Sequence, residues 1–220
     1  MTITRLAQGV LFTAMVLVGL FVHFSQASYN WLTLLVLLAV TIYFYLYHKS
    51  LWGPAIFFVM AFLTTMLPYI YARLGLFFII PLAIYAVIIR LFPSIRNRSR
   101  WFYVGQIDKF TWLGGLAIAI LSVLGLYLWT IIAKPDLSDL QALIPHQSLA
   151  ALLIVGFGFA IVNSFVEESI YRGLLWTAFG NAFGNIIIVN LLQAAIFGIA
   201  HLQGFPRGAI GVVMAFVYGL

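Results

Sequence analysis

Eight apolar runs, separated by short polar or charged connections, leave this chain almost no choice of architecture: residues 9–24, 31–47, about 54–72, 74–92, 111–133, 149–179, 186–201 and 208–220. An α-helix needs about 20 mostly apolar residues to cross the hydrocarbon core of a bilayer. It also satisfies its own backbone hydrogen bonds there, where water cannot. Composition agrees: 65% of the 220 residues are hydrophobic and 7% are charged, against roughly 25% charged in a soluble domain. The expected fold is all-α, a polytopic helical membrane protein of about eight transmembrane helices. The last run, 208–220, is too short to finish a span and reads as truncated.

The net charge of +6 is not a nucleic-acid footprint, because the charges gather in the loops between apolar runs and read as topology signals. No nucleic-acid partner is expected; the lipid bilayer is. Zero cysteines exclude disulfides and thiolate metal sites. The connection holding Arg90, Arg96, Arg98, Arg100 and Lys109 is the densest basic stretch, which places it in the cytoplasm by the positive-inside rule. Counting four spans back puts the amino terminus and Lys49 on the same side. Asp136 and Asp139 suit the outer face, Arg73 argues the other way, and Trp101, Phe102, Tyr103 and Trp112 flank the basic loop as interfacial aromatics do.

The first run, followed by FSQAS, has a competing reading as a signal peptide; a retained helix is simpler because every later run also spans. Pro68 and Pro81 lie inside runs, where kinks are tolerated. His23, His48 and His146 fall near run ends or in a loop and read as interfacial. The natural division falls near residue 110, with a four-helix leader over 1–110 and a motif-bearing bundle over 111–220.

The chemistry concentrates in NSFVEESIYR, residues 163–172. It carries two of the five acidic residues, Glu167 and Glu168, inside an apolar helix. An ionised carboxylate at the bilayer centre costs about 2.5–3.5 kcal/mol on insertion scales, so such groups face a bundle interior or a cavity. Glu168 and Arg172 are four apart and share a helix face on which they can pair. Glu167 shares its face with Asn163 and Tyr171, which are neutral. Two carboxylates in unlike surroundings divide acid–base roles: Glu168 is expected to be structural, and Glu167 is the candidate general base.

GNAFGN at 180–185 reads as a turn. Beyond it, a second apolar helix carries Asn190, Phe197 and His201 along one stripe. Glu167 lies about 13 residues before the turn and His201 about 16 after it, depths of ~20 and ~24 Å at 1.5 Å per residue. Antiparallel neighbours therefore bring both side chains to nearly one level, where a carboxylate and an imidazole can hold and deprotonate a water. Gly198, Gly204, Gly208 and Gly211 are expected to allow close backbone approach.

EESIYR (167–172) followed by FGIAH (197–201) resembles the EExxxR and FxxxH motifs of the CPBP family. This family contains the CAAX-processing Rce1-type endopeptidases and the bacteriocin-processing or self-immunity (Abi) proteins. The resemblance covers roughly residue 115 to the end. It implies that Glu167 and His201 activate the water that attacks a peptide carbonyl, with Glu168 and Arg172 as a supporting ion pair and Phe197 shaping the pocket. It implies a membrane-embedded or lipid-linked protein or peptide substrate and residence in a bacterial plasma membrane. The family pattern continues with a helix bearing a histidine and, four residues on, an asparagine; no His or Asn follows Gln203. Three readings stay open: a truncated form, a site completed by a partner subunit, or an inactive protein.

The leading expectation is an intramembrane endopeptidase (hydrolase). The alternatives are a catalytically inactive scaffold or immunity protein that binds a partner, and a proton-coupled transporter using the paired glutamates. No cofactor is expected. A divalent metal such as zinc is the alternative, but catalytic zinc takes three protein ligands, and Glu168 would have to give up Arg172 to be one.

Overall fold

The computed structural model describes residues 3–22, 27–66, 78–97, 108–136, 138, 148–202, 204 and 206–220. Every regular element among them is helical: α1 (Ile3–Phe21), α2 (Ala27–Tyr47), α3 (Lys49–Thr65), α4 (Ile79–Leu91), the single turn α5 (Pro93–Arg96), α6 (Lys109–Ala133), α7 (Leu149–Glu167), a π-helical segment (Glu168–Leu175), α8 (Trp176–Phe183), α9 (Ile186–Ala200) and α10 (Gly208–Gly219). Four helices are long and apolar enough to cross a membrane: Thr4–Phe21, Ala27–Tyr47, Lys109–Ala133 and the continuous Leu149–Phe183. With the shorter apolar helices α3, α4, α9 and α10, these correspond to the eight runs read from the sequence. The chain is a polytopic helical membrane protein.

Hydroxyls inside these helices are satisfied by their own backbone, as hydrocarbon requires. Thr13 donates to the Gly9 carbonyl and Thr41 to Leu37, both at 2.8 Å. Ser122 donates to Ile118 and Thr130 to Leu126, also at 2.8 Å.

The chain divides into two compact units, Met1–Phe102 with Val162–Leu220, and Tyr103–Ile161. The first is organised around Phe12, whose ring makes edge-to-face contacts with Phe44 at 5.9 Å and with Phe58 and Phe179 at 5.8 Å. These rings come from α1, α2, α3 and α8, and all four are fully buried. Phe57 extends the cluster to Tyr85 of α4, at 6.2 Å. Between helices in lipid the hydrophobic effect drives little, and such van der Waals packing carries the association. α1, with Phe12, Met15 and Val16 buried, is therefore part of the core that seats the motif-bearing helices.

The second unit contains α6, which buries no side chain within it. Its first turn is capped by Asp108, whose Oδ1 accepts from Thr111 N at 2.8 Å and from Thr111 Oγ1 at 2.7 Å. These bonds, the backbone N–H first, hold the Asp108 carboxyl below the ordinary aspartate value.

Several local expectations change. Pro81 stands at the third position of α4, where the missing N–H has no intrahelical acceptor in any case, so it starts a helix rather than kinking one. Pro54 lies inside α3 and removes the bond to the Ser50 carbonyl. The GNAFGN turn is narrower than its composition implies: α8 continues through Phe183, and only Gly184 and Asn185 turn the chain. Gly184 has φ +68°, which favours glycine. The Asn185 side chain then caps α9 by accepting from Ile187 N and Ile188 N. Gly208 has open space around it and φ +73°, so it serves the entry to α10 rather than a close helix contact. His48 occupies the break between α2 and α3, with Nδ1 2.9 Å from Ser50 Oγ. Pro68, Arg73, Arg98, Arg100, Trp101, Phe102, Tyr103, Asp139, His23, His146 and Gln203 lie outside the described residues.

Candidate active site

α7 runs without interruption as far as Glu167, and there the helix widens: Glu168–Leu175 is a π-helix, with i→i+5 bonding, before α-geometry resumes at Trp176. Burial changes at the same place. Leu153–Val162 are exposed, whereas Ser169, Ile170, Tyr171, Leu174 and Leu175 are buried. The two carboxylates sit at this junction and part company. Asn163 Nδ2 donates to Glu167 Oε1 at 3.0 Å, and Glu167 is half-buried. Glu168 pairs with Arg172 Nη1, with side chains 52% and 34% exposed respectively, so this ion pair lies on an open face rather than inside the bundle. Arg172 does a second job: Nη2 donates to the Tyr218 carbonyl of α10 at 3.1 Å, and the guanidinium lies 5.6 Å from the Tyr218 ring centre. The planar fork of arginine permits both at once.

His201 follows the last residue of α9. Its backbone sits in the bridge region at φ −86°, ψ 2°, where active-site residues are often found. Its Nδ1 is 3.0 Å from the Phe197 carbonyl oxygen. A carbonyl only accepts, so Nδ1 carries the proton, and Nε2 is left with a lone pair. That local bond selects the tautomer suited to a base or to holding a water.

Phe197 joins the two helices. Its ring meets Tyr171 of the π-segment edge-on at 4.8 Å and His201 at 4.7 Å. Glu167 lies one turn before Tyr171, and His201 one turn after Phe197. Gly184 falls 17 residues after Glu167 and His201 falls 16 after Asn185, so the narrower turn improves the match in depth.

Asn190 does not join this group. Its Nδ2 donates to the Leu220 carbonyl at 2.9 Å, and its Oδ1 accepts from Gln193 Nε2 at 3.2 Å. Gln193 also donates to the Gly219 carbonyl, so Arg172, Gln193 and Asn190 hold the successive carbonyls of Tyr218, Gly219 and Leu220, at and just past the end of α10. Neither Tyr171 nor Gln193 had been assigned a role from the sequence; Gln193 at least shares the stripe of Phe197 and His201, at spacings of four. A cavity of about 310 Å³ at the α8–α9 corner is lined by Trp176, Thr177, Asn181 and Ile186 among others, and by none of the candidate catalytic residues.

A metal was weighed on the donor set. Among the described residues no three His, Cys, Asp or Glu side chains are grouped to hold one. Glu168 is occupied by Arg172, which leaves Glu167 and His201, one ligand short of a catalytic zinc site. The described donors do not fit such a site.

Residues 148–220, from the start of α7 to the end of α10, match the family model for type II CAAX prenyl endopeptidase Rce1-like proteins. The match begins at residue 148, later than the residue 115 that the motifs suggested. No curated protein and no solved structure matches the chain.

Proposed function

We propose that this chain is an intramembrane endopeptidase that hydrolyses a peptide bond of a membrane-associated protein or peptide, using water activated by Glu167 and His201. The observation that carries the reading is the His201 tautomer: Nδ1 is committed to the Phe197 carbonyl, which leaves Nε2 to accept a hydrogen bond. The water donates one hydrogen bond to His201 Nε2 and loses its other proton to the Glu167 carboxylate. Its oxygen bonds to the peptide carbonyl carbon. On collapse the C–N bond breaks, and the proton held by Glu167 passes to the leaving amine. Asn163 orients the carboxylate through its 3.0 Å bond. Arg172 ties the π-segment to α10, and Phe197 sets the spacing between acid and imidazole. The family description points to a prenylated C-terminal peptide as the substrate to try first. The basic stretch around Arg90 and Arg96 supports a cytoplasmic amino terminus by the positive-inside rule.

The test is cleavage of a farnesylated CAAX peptide by the purified chain in proteoliposomes. General-base catalysis contributes about 10²–10⁴-fold, so Glu167→Ala is expected to lower turnover at least 100-fold, with helicity retained. Equal turnover by parent and Glu167→Ala refutes the mechanism.

A further inference from the structure

Tyr171 is a buried residue, 5% exposed, and its hydroxyl has no hydrogen-bond partner among the described residues. The hydroxyl is not among the buried side-chain atoms left without a partner, so it is open to an acceptor that the described residues do not supply. Tyr171 follows Glu167 by four residues, and long side chains on a helix lean back toward its amino terminus, which carries the phenol toward the turn that holds Glu167. Glu167 is the charged group that acts on it. The ring is fixed edge-on against Phe197 at 4.8 Å, and Phe197 lies in turn 4.7 Å from the His201 ring. Tyr171, Phe197 and His201 therefore form one continuous wall, with Glu167 at its edge.

The neighbouring donors are spoken for. Asn163 donates to Glu167, while Arg172 donates to Glu168 and to the Tyr218 carbonyl. The Tyr171 hydroxyl and the Glu167 carboxylate share a face without bonding each other. Two groups so placed can hold different atoms of one reaction, the water at the carboxylate and a carbonyl oxygen at the phenol.

We infer that Tyr171 is a further catalytic residue, whose O–H donates to the scissile carbonyl oxygen and to the oxyanion that replaces it when water adds. A phenol, with a reference pKa of roughly 10, is an O–H donor at neutral pH. It needs no proton transfer in this role: the hydrogen bond shortens as charge develops on the oxygen and lengthens when the carbonyl reforms. This assignment rests on the hydrolase reading above.

Tyr171→Phe keeps the ring and its contact with Phe197 and deletes only the hydroxyl. Three quantities are measured in proteoliposomes: kcat and KM for the farnesylated peptide, and the affinity for a phosphinate analogue of it, a stable mimic of the tetrahedral intermediate. Loss of one oxyanion donor lowers kcat by about 10²–10³-fold. The expected result is a fall of that order with KM changed less than about 2-fold, accompanied by a comparable loss of phosphinate affinity, because the contact is made mainly in the transition state. A merely structural tyrosine would not weaken phosphinate selectively. Unchanged kcat, retained phosphinate affinity, or equal weakening of peptide and phosphinate overturns the assignment. Glu167→Ala run alongside separates the two failures. If the parent cleaves, Glu167→Ala does not and Tyr171→Phe does, only the role of Tyr171 falls. If the parent does not cleave, or Glu167→Ala cleaves as well as it, the hydrolase reading fails and takes this assignment with it.

Discussion

Gly198 is where α9 and α10 come closest, and replacing it by alanine tests whether packing of these two helices holds the site together. A Cβ built at Gly198 would lie 2.8 Å from the Val212 carbonyl oxygen and 3.1 Å from Phe216 Cβ. An ordinary carbon–oxygen contact is about 3.3–3.6 Å, so the helices must separate by about half an ångström. The obstacle is backbone, which cannot swing aside as a side chain can. Separation would loosen the contact of Gly219 with Ala194 and pull the Gly219 carbonyl away from Gln193. Overpacking of this kind costs about 1–3 kcal/mol, offset by the ~0.5–1 kcal/mol that alanine gains over glycine in a helix. The net loss centres on about 1 kcal/mol and reaches about 2.5 kcal/mol at most, a roughly 5-fold change in the ratio of folded to unfolded protein at the centre of that range. Reversible unfolding in mixed micelles, titrated with a denaturing detergent and followed by helicity, reads it directly. Gly125→Ala in α6 is the comparator: nothing lies within 4 Å of its Cβ position, so its stability should hold or rise. If Gly198→Ala unfolds at the same point as the parent, or shifts no more than Gly125→Ala, the close approach of α9 and α10 is not limiting.

Phe12→Ala removes the ring on which Phe44, Phe58 and Phe179 converge and should destabilise the fold by about 3 kcal/mol or more. Phe157→Ala, at a 70% exposed position, should shift the same unfolding midpoint by less than about 0.5 kcal/mol; equal losses would deny the cluster its place at the core. The Asp108 cap of α6 carries a sign in pH. Because its folded pKa is lowered by the Thr111 N–H, the cap's contribution is present above the unfolded aspartate value of about 3.9 and lost as pH falls through the lower folded value. Protection of the Thr111 amide, its exchange rate relative to the unfolded chain at the same pH, should therefore be high at neutral pH, fall in acid, and be low at all pH values in Asp108→Ala. Exchange unaffected by that substitution would show that the cap does not hold the first turn.

Much of the candidate site was legible because it is local. Asn163 with Glu167, Glu168 with Arg172, and Phe197 with His201 are pairs four residues apart on one helix, and helical geometry brings such pairs together whatever surrounds them. A similar depth for Glu167 and His201 on two helices could be expected from the sequence, since a short turn and a fixed rise per residue set it. The π-segment was not legible. Reading at a period of 3.6 assumes an unbroken α-helix, and nothing in ESIYRGLL departs from that pattern. The turn at 180–185 was overextended because Gly180 and Asn181 read as breakers, yet α8 runs through both of them.

Length and apolar content alone determined that this chain is a stack of membrane-crossing helices, because in hydrocarbon no other open backbone arrangement satisfies its hydrogen bonds. The local pairs of the motif were determined with them. Tertiary structure decided which faces pack. α2 and α6 are both apolar nearly all round, yet α2 buries Leu34, Leu37 and Phe44 while α6 buries nothing within its unit. Lipid-facing and protein-facing surfaces are equally apolar, so the hydrophobic pattern that tells inside from outside in a soluble protein is silent here. For the same reason only the fold could show that Phe12 seats α8, that Arg172, Gln193 and Asn190 take three carbonyls at and just past the end of α10, and that Tyr171 is left with its hydroxyl unspent beside Glu167.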